Sequence, residues 1–375
     1  MTKQQNKRPK PKAGISDFVP PYPPSWFDRL TDWVDRLPGP AWAYYLIAAA
    51  AVVLAETAVQ WREGAYPAGT FSPLTVWVVG NFAYLLALMH FLDKSAASAI
   101  ESFRPLLAST KRGAIPSLHD QSAFARLSYQ LTTLPARPTL MVTLAGAAFA
   151  VFVSVVQTSA GIVPAPLAGT AGTTLSTVSV MVVFIPTNAI SFLLAYHTIH
   201  QLDRISRIYT HHARINIYQL QPLYALSLPG ASTAIGIILF SYAWAATTAS
   251  ASVPAGVLEI GLMVAFAAIA GATFALPLLG AHRRLVAEKN RLLAEASSRF
   301  EAAIGDLHRQ LDGRGRRRTN DPNRALAALE IEQNALRRIP TWPWQPGAVR
   351  GLVAALFLPV AVWAIQLLLG RFFAT

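Results

Sequence analysis

Cysteine is absent from all 375 residues. That excludes disulfides, thiolate catalysis, Cys-ligated zinc and Cys-held iron–sulfur clusters. Charge is scarce too: Asp, Glu, Lys and Arg make up 14% of the chain, against ~25% in soluble globular proteins. No P-loop, GxSxG elbow, dinucleotide-binding fingerprint or kinase signature occurs, and no HExxH or desaturase-type histidine box. These lacks exclude a soluble enzyme as the leading reading, and no cofactor is expected. What is present is apolar sequence, 53% of the chain, gathered in long runs with almost no charge between them.

A hydrocarbon core of ~30 Å takes about 20 apolar residues of helix. Seven runs meet that requirement, at 41–59, 72–92, 139–158, 174–197, 231–249, 255–280 and 346–370. Lipid-exposed backbone must satisfy its own hydrogen bonds, so each run is read as a helix. The expected fold is all-α: a polytopic membrane bundle of seven transmembrane helices. The first run begins too late for an ordinary cleaved signal and reads as an uncleaved anchor. Seven spans do not divide into equal halves, which disfavours transporter folds built on inverted repeats.

Lys and Arg orient the bundle. Of the 32, 29 fall in the amino-terminal tail, the loops after spans two and four, and the segment before span seven. Arg62 and Arg371 lie on the opposite side, and Arg350 sits at the inner mouth of span seven. The amino terminus is therefore expected in the cytoplasm and the carboxy terminus outside, in a plasma membrane of the bacterial inner-membrane kind. Every lysine lies outside the spans, so no Schiff base can form within the bundle. The whole net charge of +13 resides on the cytoplasmic side.

Residues 1–24 are basic and then proline-rich, and read as disordered. Residues 25–40 read as an interfacial amphipathic helix that starts at a Ser25–Asp28 capping box and stops at Pro38-Gly39-Pro40. Phe27, Leu30, Val34 and Leu37 form its apolar face, with Trp26 and Trp33 as interfacial anchors; Asp28, Arg29, Asp32, Asp35 and Arg36 take the wet face. Its packing partner is either the bilayer surface or the protein's own cytoplasmic helices. Within the 41–280 region that holds spans one to six, cytoplasmic helices are expected at 95–135 and 198–220. The first of these includes a short helix marked by Ile100, Phe103 and Leu107. Residues 281–345 read as a cytoplasmic helical hairpin, with Leu293, Phe300, Ile304 and Leu307 facing Leu326, Leu329 and Leu336. Trp342 and Trp344 then anchor the approach to span seven, and 346–375 comprises that span with a short outer carboxy terminus.

Candidate sites follow from polar groups in apolar surroundings. Glu56 and Glu259 lie inside spans near the outer face, where pairing with Arg62 or Arg371 would hold them. Asn81, Asn188 and Tyr242 lie deeper and complete a candidate polar pathway or core. Pro186 interrupts span four beside Asn188. His197 and His200, three apart on one helix face with Asp203 near, are weak metal candidates. Ala267, Gly271 and Ala275 give span six a small-residue face for close packing. Arg314, Arg316, Arg317 and Arg318 lack interleaved aromatics, so anionic lipid headgroups on the cytoplasmic side are their expected partner, not nucleic acid.

The expected function is that of a non-enzymatic receptor, signalling or scaffold protein. Its cytoplasmic helices would dock a protein partner or a second copy. The alternative is an ion channel or small-solute transporter with a polar pathway through the bundle.

Overall fold

The computed structural model describes residues 18–107, 118–159, 174–212, 217–218, 220–249, 257–312 and 322–358. Helices carry the described chain: α1 (Trp26–Val34), α2 (Ala41–Arg62), α3 (Pro73–Leu107), α4 (Leu118–Thr132), α5 (Ala136–Ser159), α6 (Thr174–Arg207), α7 (Gln221–Ala225), α8 (Ser227–Ala249), α9 (Val257–Asp312) and α10 (Pro322–Arg338). A helix α11 over Pro346–Leu358 follows. Six of these are long and apolar enough to cross a membrane: α2, α3, α5, α6, α8 and α9. The described part of the seventh apolar run is α11, which is shorter; residues 359–375, Arg371 among them, lie outside the described residues.

Two hydrophobic cores hold the bundle. One gathers α1, α2, α3 and α6 around Phe27, Leu85, Met89 and Leu193. The other runs from Ala234 and Ala270 in the spans through Tyr209 and Leu285 to Ala296 and Leu336, so the bundle and the α9–α10 pair share one continuous apolar interior. The outside of the bundle is apolar as well. Only 11% of the apolar stretch of α2 is buried, and Trp42, Leu46, Ile47 and Leu54 point outward. An aqueous surface disfavours such a face and a bilayer accommodates it.

Helix α3 does not stop where its apolar run stops. It continues through Asp93 and Lys94 to Leu107, so the separate helix expected at Ile100, Phe103 and Leu107 is its last turns. Those charges do not break it because both are paired within the fold (below), and no Gly or Pro interrupts 92–103. Helix α9 likewise continues beyond its span, running 56 residues in all, about 84 Å at 1.5 Å per residue.

Helix α10 packs antiparallel against the far half of α9. Lys289 Nζ donates to the carbonyls of Arg337 (2.7 Å) and Ile339 (2.8 Å), and His282 Nδ1 donates to Thr341 O (3.1 Å). The chain then lays four rings in a stack. His282 lies on Trp342 (4.0 Å between centroids), Trp342 on Trp344 (4.6 Å), and Trp344 on Phe274 (5.9 Å), all within 16° of parallel. Trp342 and Trp344 thus clasp α9. The far half of α9 together with α10 is termed the arm, and its side of the bundle the arm end.

The small-residue face expected on α9 is not the packed one. A Cβ on Gly271 would meet nothing within 4 Å, and the buried stripe is Ala270, Phe274, Leu278, Ala281 and Leu285. Phe274 decides the rotation: burying a large ring against α8 and Trp344 removes more apolar surface than burying Gly271. Close backbone approach occurs at Gly146 of α5 instead, where a Cβ would lie 2.9 Å from Ala189 Cα of α6.

Candidate functional site

Polar groups are buried at both ends of the bundle. At the arm end, α1 covers the cluster. Its capping box forms: Ser25 donates to Asp28 Oδ2 from its backbone N (2.8 Å) and its Oγ (2.7 Å). Asp28 also accepts the backbone N–H of Leu134 (3.1 Å), and the Ser25 N–H donates to Leu134 O (3.1 Å). The helical wheel assigns Asp28 to the wet face, yet it is buried, because the turn between α4 and α5 presents the Leu134 N–H to it and its side-chain oxygens accept that bond. Burial pushes its carboxyl up to about 6, against the lowering effect of the Ser25 hydrogen bonds. Helix α1 therefore packs on the protein through Phe27, Thr31 and Val34. Trp33 stays exposed, and the Trp26 indole N–H donates to Thr143 of α5 (3.3 Å).

The tail before α1 is docked in its last part, contrary to the expectation of disorder through residue 24. Tyr22 Oη donates to Thr133 O (2.9 Å), Tyr129 Oη donates to Tyr22 O (2.8 Å), and the two rings pack at 5.4 Å. Burial pushes the Tyr22 phenol up to about 12. Aromatic contacts outweigh the proline content here; residues 1–17 lie outside the described residues.

Beneath α1 lie two carboxylate–histidine pairs. His90 of α3 sits 3.0 Å from Asp35 at the end of α1, and its Nδ1 accepts the Tyr45 hydroxyl of α2 (3.0 Å). Lys94 Nζ reaches the same Asp35 oxygen at 2.6 Å. One turn along α3, Asp93 accepts a hydrogen bond from His197 Nε2 of α6 at 2.9 Å. Asp93 and His197 are both nearly inaccessible, and Phe27 closes over His197 edge-on at 6.3 Å. The neighbouring α6 face adds Thr198 and Gln201, whose side-chain polar atoms are buried without partners among the described residues.

This cluster joins only one of the three metal candidates. His197 faces Asp93; His200 donates from Nε2 to Gln130 O (3.1 Å); Asp203 pairs with Arg207 (2.8 Å) at the surface. No group of three His, Asp or Glu able to hold a metal occurs among the described residues. Sequence reasoning missed Asp35, His90 and Asp93. The signal was there: His90 and Asp93 are three apart on one face, at the level where span four ends in His197.

The opposite end differs. Glu56 of α2 is turned inward and buried rather than reaching outward, and Arg62 makes no ion pair with it. Its Oε2 has no hydrogen-bond partner among the described residues. Around it, Gln60 Nε2 donates to Thr75 Oγ1 (2.9 Å), and the Thr75 N–H donates to Ser72 Oγ (3.3 Å). A cleft of about 10 Å³, lined by Glu56, Leu74, Thr75, Val78, Val79 and Val183, lies between α2, α3 and α6. That volume admits about one water.

No known protein family, curated protein or solved structure matches this chain. Its chemistry has to be read from its own geometry.

The other pathway candidates do not line the cleft. Asn81 is buried within α3. Asn188 donates from Nδ2 to Phe184 O (3.0 Å), and its neighbour Thr187 donates to Val183 O (2.8 Å) and across to Val78 O of α3 (3.3 Å). These bonds dress the backbone around Pro186, whose missing N–H leaves the helix one bond short. Tyr242 Oη donates to Leu356 O (2.8 Å) and ties α8 to α11. The side chain of Glu259 and all of Arg314, Arg316, Arg317 and Arg318 lie outside the described residues.

Proposed function

We propose that the protein is a non-enzymatic integral membrane protein of the receptor, signalling or scaffold kind, whose arm docks a helical protein partner in the cytoplasm. One observation carries the reading. The distal part of the arm leaves its apolar stripe half covered: Phe300, Ile304, Leu307, Leu326 and Leu329 are each only partly buried, and among the described residues from 296 to 338 full burial is reached only at Ala296 and Leu336. Two helices alone cannot enclose both of their stripes, and a further helix can. The shared interior of arm and spans supports the reading by joining partner binding to the bundle. The distribution of Lys and Arg supports a cytoplasmic arm, a seventh span through 346–370 and an outer carboxy terminus. It also supports attraction of the inner face, including Arg314 and Arg316–Arg318, to anionic headgroups.

The test is photo-crosslinking in cells from position 331, where Ile331 is exposed. A discrete adduct, with a protein partner or with a second copy, is expected, and Leu326→Asp with Leu329→Asp abolishes it. No adduct from any exposed α10 position would overturn the reading. A reporter active only in the cytoplasm, if active when fused after Thr375, would overturn the orientation.

A second reading, an ion channel or small-solute transporter, is favoured by the unpartnered carboxylate oxygen of Glu56. Flux in reconstituted vesicles that Asn188→Leu and Glu56→Gln abolish would establish it in place of the first.

A further inference from the structure

Burying an ionised carboxylate in apolar surroundings is costly unless a counter-charge or several hydrogen bonds answer it. Glu56 is 8% exposed. It forms no ion pair with a described residue, and its Oε2 is sealed from solvent without a donor. The groups facing it from α3 are Leu74, Thr75, Val78 and Val79, and from α6 Val183; none titrates. On α2 itself the nearest charged groups are Arg62 and, just past its end, Glu63, nearly two turns away. The remaining charged residues on that side of the sequence are Glu259 and Arg371.

Two occupants would neutralise the carboxylate: a metal cation or a proton. A Ca²⁺ or Mg²⁺ ion takes about six or more oxygen ligands. The cleft wall supplies one carboxylate and one hydroxyl that already accepts from Gln60, and even with the unpartnered Gln60 Oε1 and Thr57 Oγ1 of α2 the oxygens fall short of six ligands. Four of the six lining residues are Leu or Val and offer no oxygen ligand to a cation. The cleft volume of about 10 Å³ fits a single water.

We propose that Glu56 is a proton-binding site inside the bundle, loaded and unloaded through one water in the α2–α3–α6 cleft. On loading, hydronium in the cleft gives its proton to a carboxylate oxygen, an O–H bond forms, and neutral water remains. On unloading, the water takes the proton back and the carboxylate carries the charge. The site stands apart from the docking reading: the arm could bind nothing and Glu56 would still exchange its proton.

The test uses the full-length protein in lipid nanodiscs and a hydrophobic carbodiimide, which reacts with protonated carboxyls. Labelling of the peptide that holds Glu56 is followed by mass spectrometry as pH is raised, with and without added Na⁺. The expected result is labelling in acid whose rate falls about tenfold per pH unit above a midpoint, unchanged by Na⁺. The infrared carbonyl band of the protonated acid is expected in the same range and is lost in Glu56→Gln. Labelling that is absent or indifferent to pH would overturn the proposal. Protection by Na⁺ at fixed pH would overturn it too, by assigning the site to a metal cation.

Discussion

The two ends of the bundle treat buried charge in opposite ways. At the arm end, each buried or half-buried carboxylate described meets a basic group or backbone donors: Asp93 meets His197, Asp35 meets His90 and Lys94, and Asp28 meets Ser25 and Leu134. At the far end, Glu56 meets a small cleft and a wall of Leu and Val. Paired charges specify how helices dock. A buried carboxylate without an ion-pair partner among the described residues leaves a position whose state depends on what arrives from solution.

The largest effect is expected from breaking a pair. Asp93→Ala leaves His197 buried without its acceptor, and loss of one partner of a buried pair costs about 3–5 kcal/mol. The thermal midpoint in detergent should fall steeply; Asp93→Asn, which still accepts a hydrogen bond, should recover part of it. If Asp93→Ala matches the parent, the pair does not hold α3 to α6.

A comparable but graded effect is expected from pH acting on α1. Asp28 binds its proton more tightly in the folded protein, at about 6, than an ordinary carboxyl does. Its contribution to docking is therefore complete below the ordinary carboxyl range and is lost as pH rises through 6, by up to ~3 kcal/mol. The cysteine-free chain allows spin labels at Arg29→Cys and Ala123→Cys. Their distance distribution should broaden between mildly acidic and neutral pH. Broadening on acidification instead would refute the assignment.

A smaller loss is expected in the arm. Trp342→Ala removes the ring contacts to His282 and Trp344, each worth ~0.5–1.5 kcal/mol. Amide exchange in α10 should accelerate while the spans keep their protection. The smallest effect is expected at the far end: Glu56→Gln replaces a carboxyl that has no ion-pair partner among the described residues by an amide of the same shape, so stability should shift by less than ~1 kcal/mol. A Glu56→Gln loss as large as that of Asp93→Ala would show that Glu56 has a partner and would end the contrast.

Much of the helical layout was legible in the sequence, because apolar runs of span length and a capping box at Ser25 are local signals. Helix ends were less so. The second apolar run stopped at 92 because a run of hydropathy cannot see that Asp93 meets His197 across the bundle. Asp28 looked solvated because periodicity cannot see the backbone of Leu134. The stripe on α9 was misplaced by one residue, since Gly271 signals close packing only when no larger neighbour claims the face, and Phe274 does. Glu56 was legible as an intramembrane carboxylate; its inward turn was not, because outward reach and inward burial look alike along one helix.

The four stacked rings joining Phe274, Trp344, Trp342 and His282 have an optical consequence. Two indoles lying 4.6 Å apart and 9° from parallel share their electronic excitation, so the pair should give a coupled circular-dichroism signal that separated tryptophans lack. The protein thereby carries its own gauge at the junction of arm and span, readable without any label.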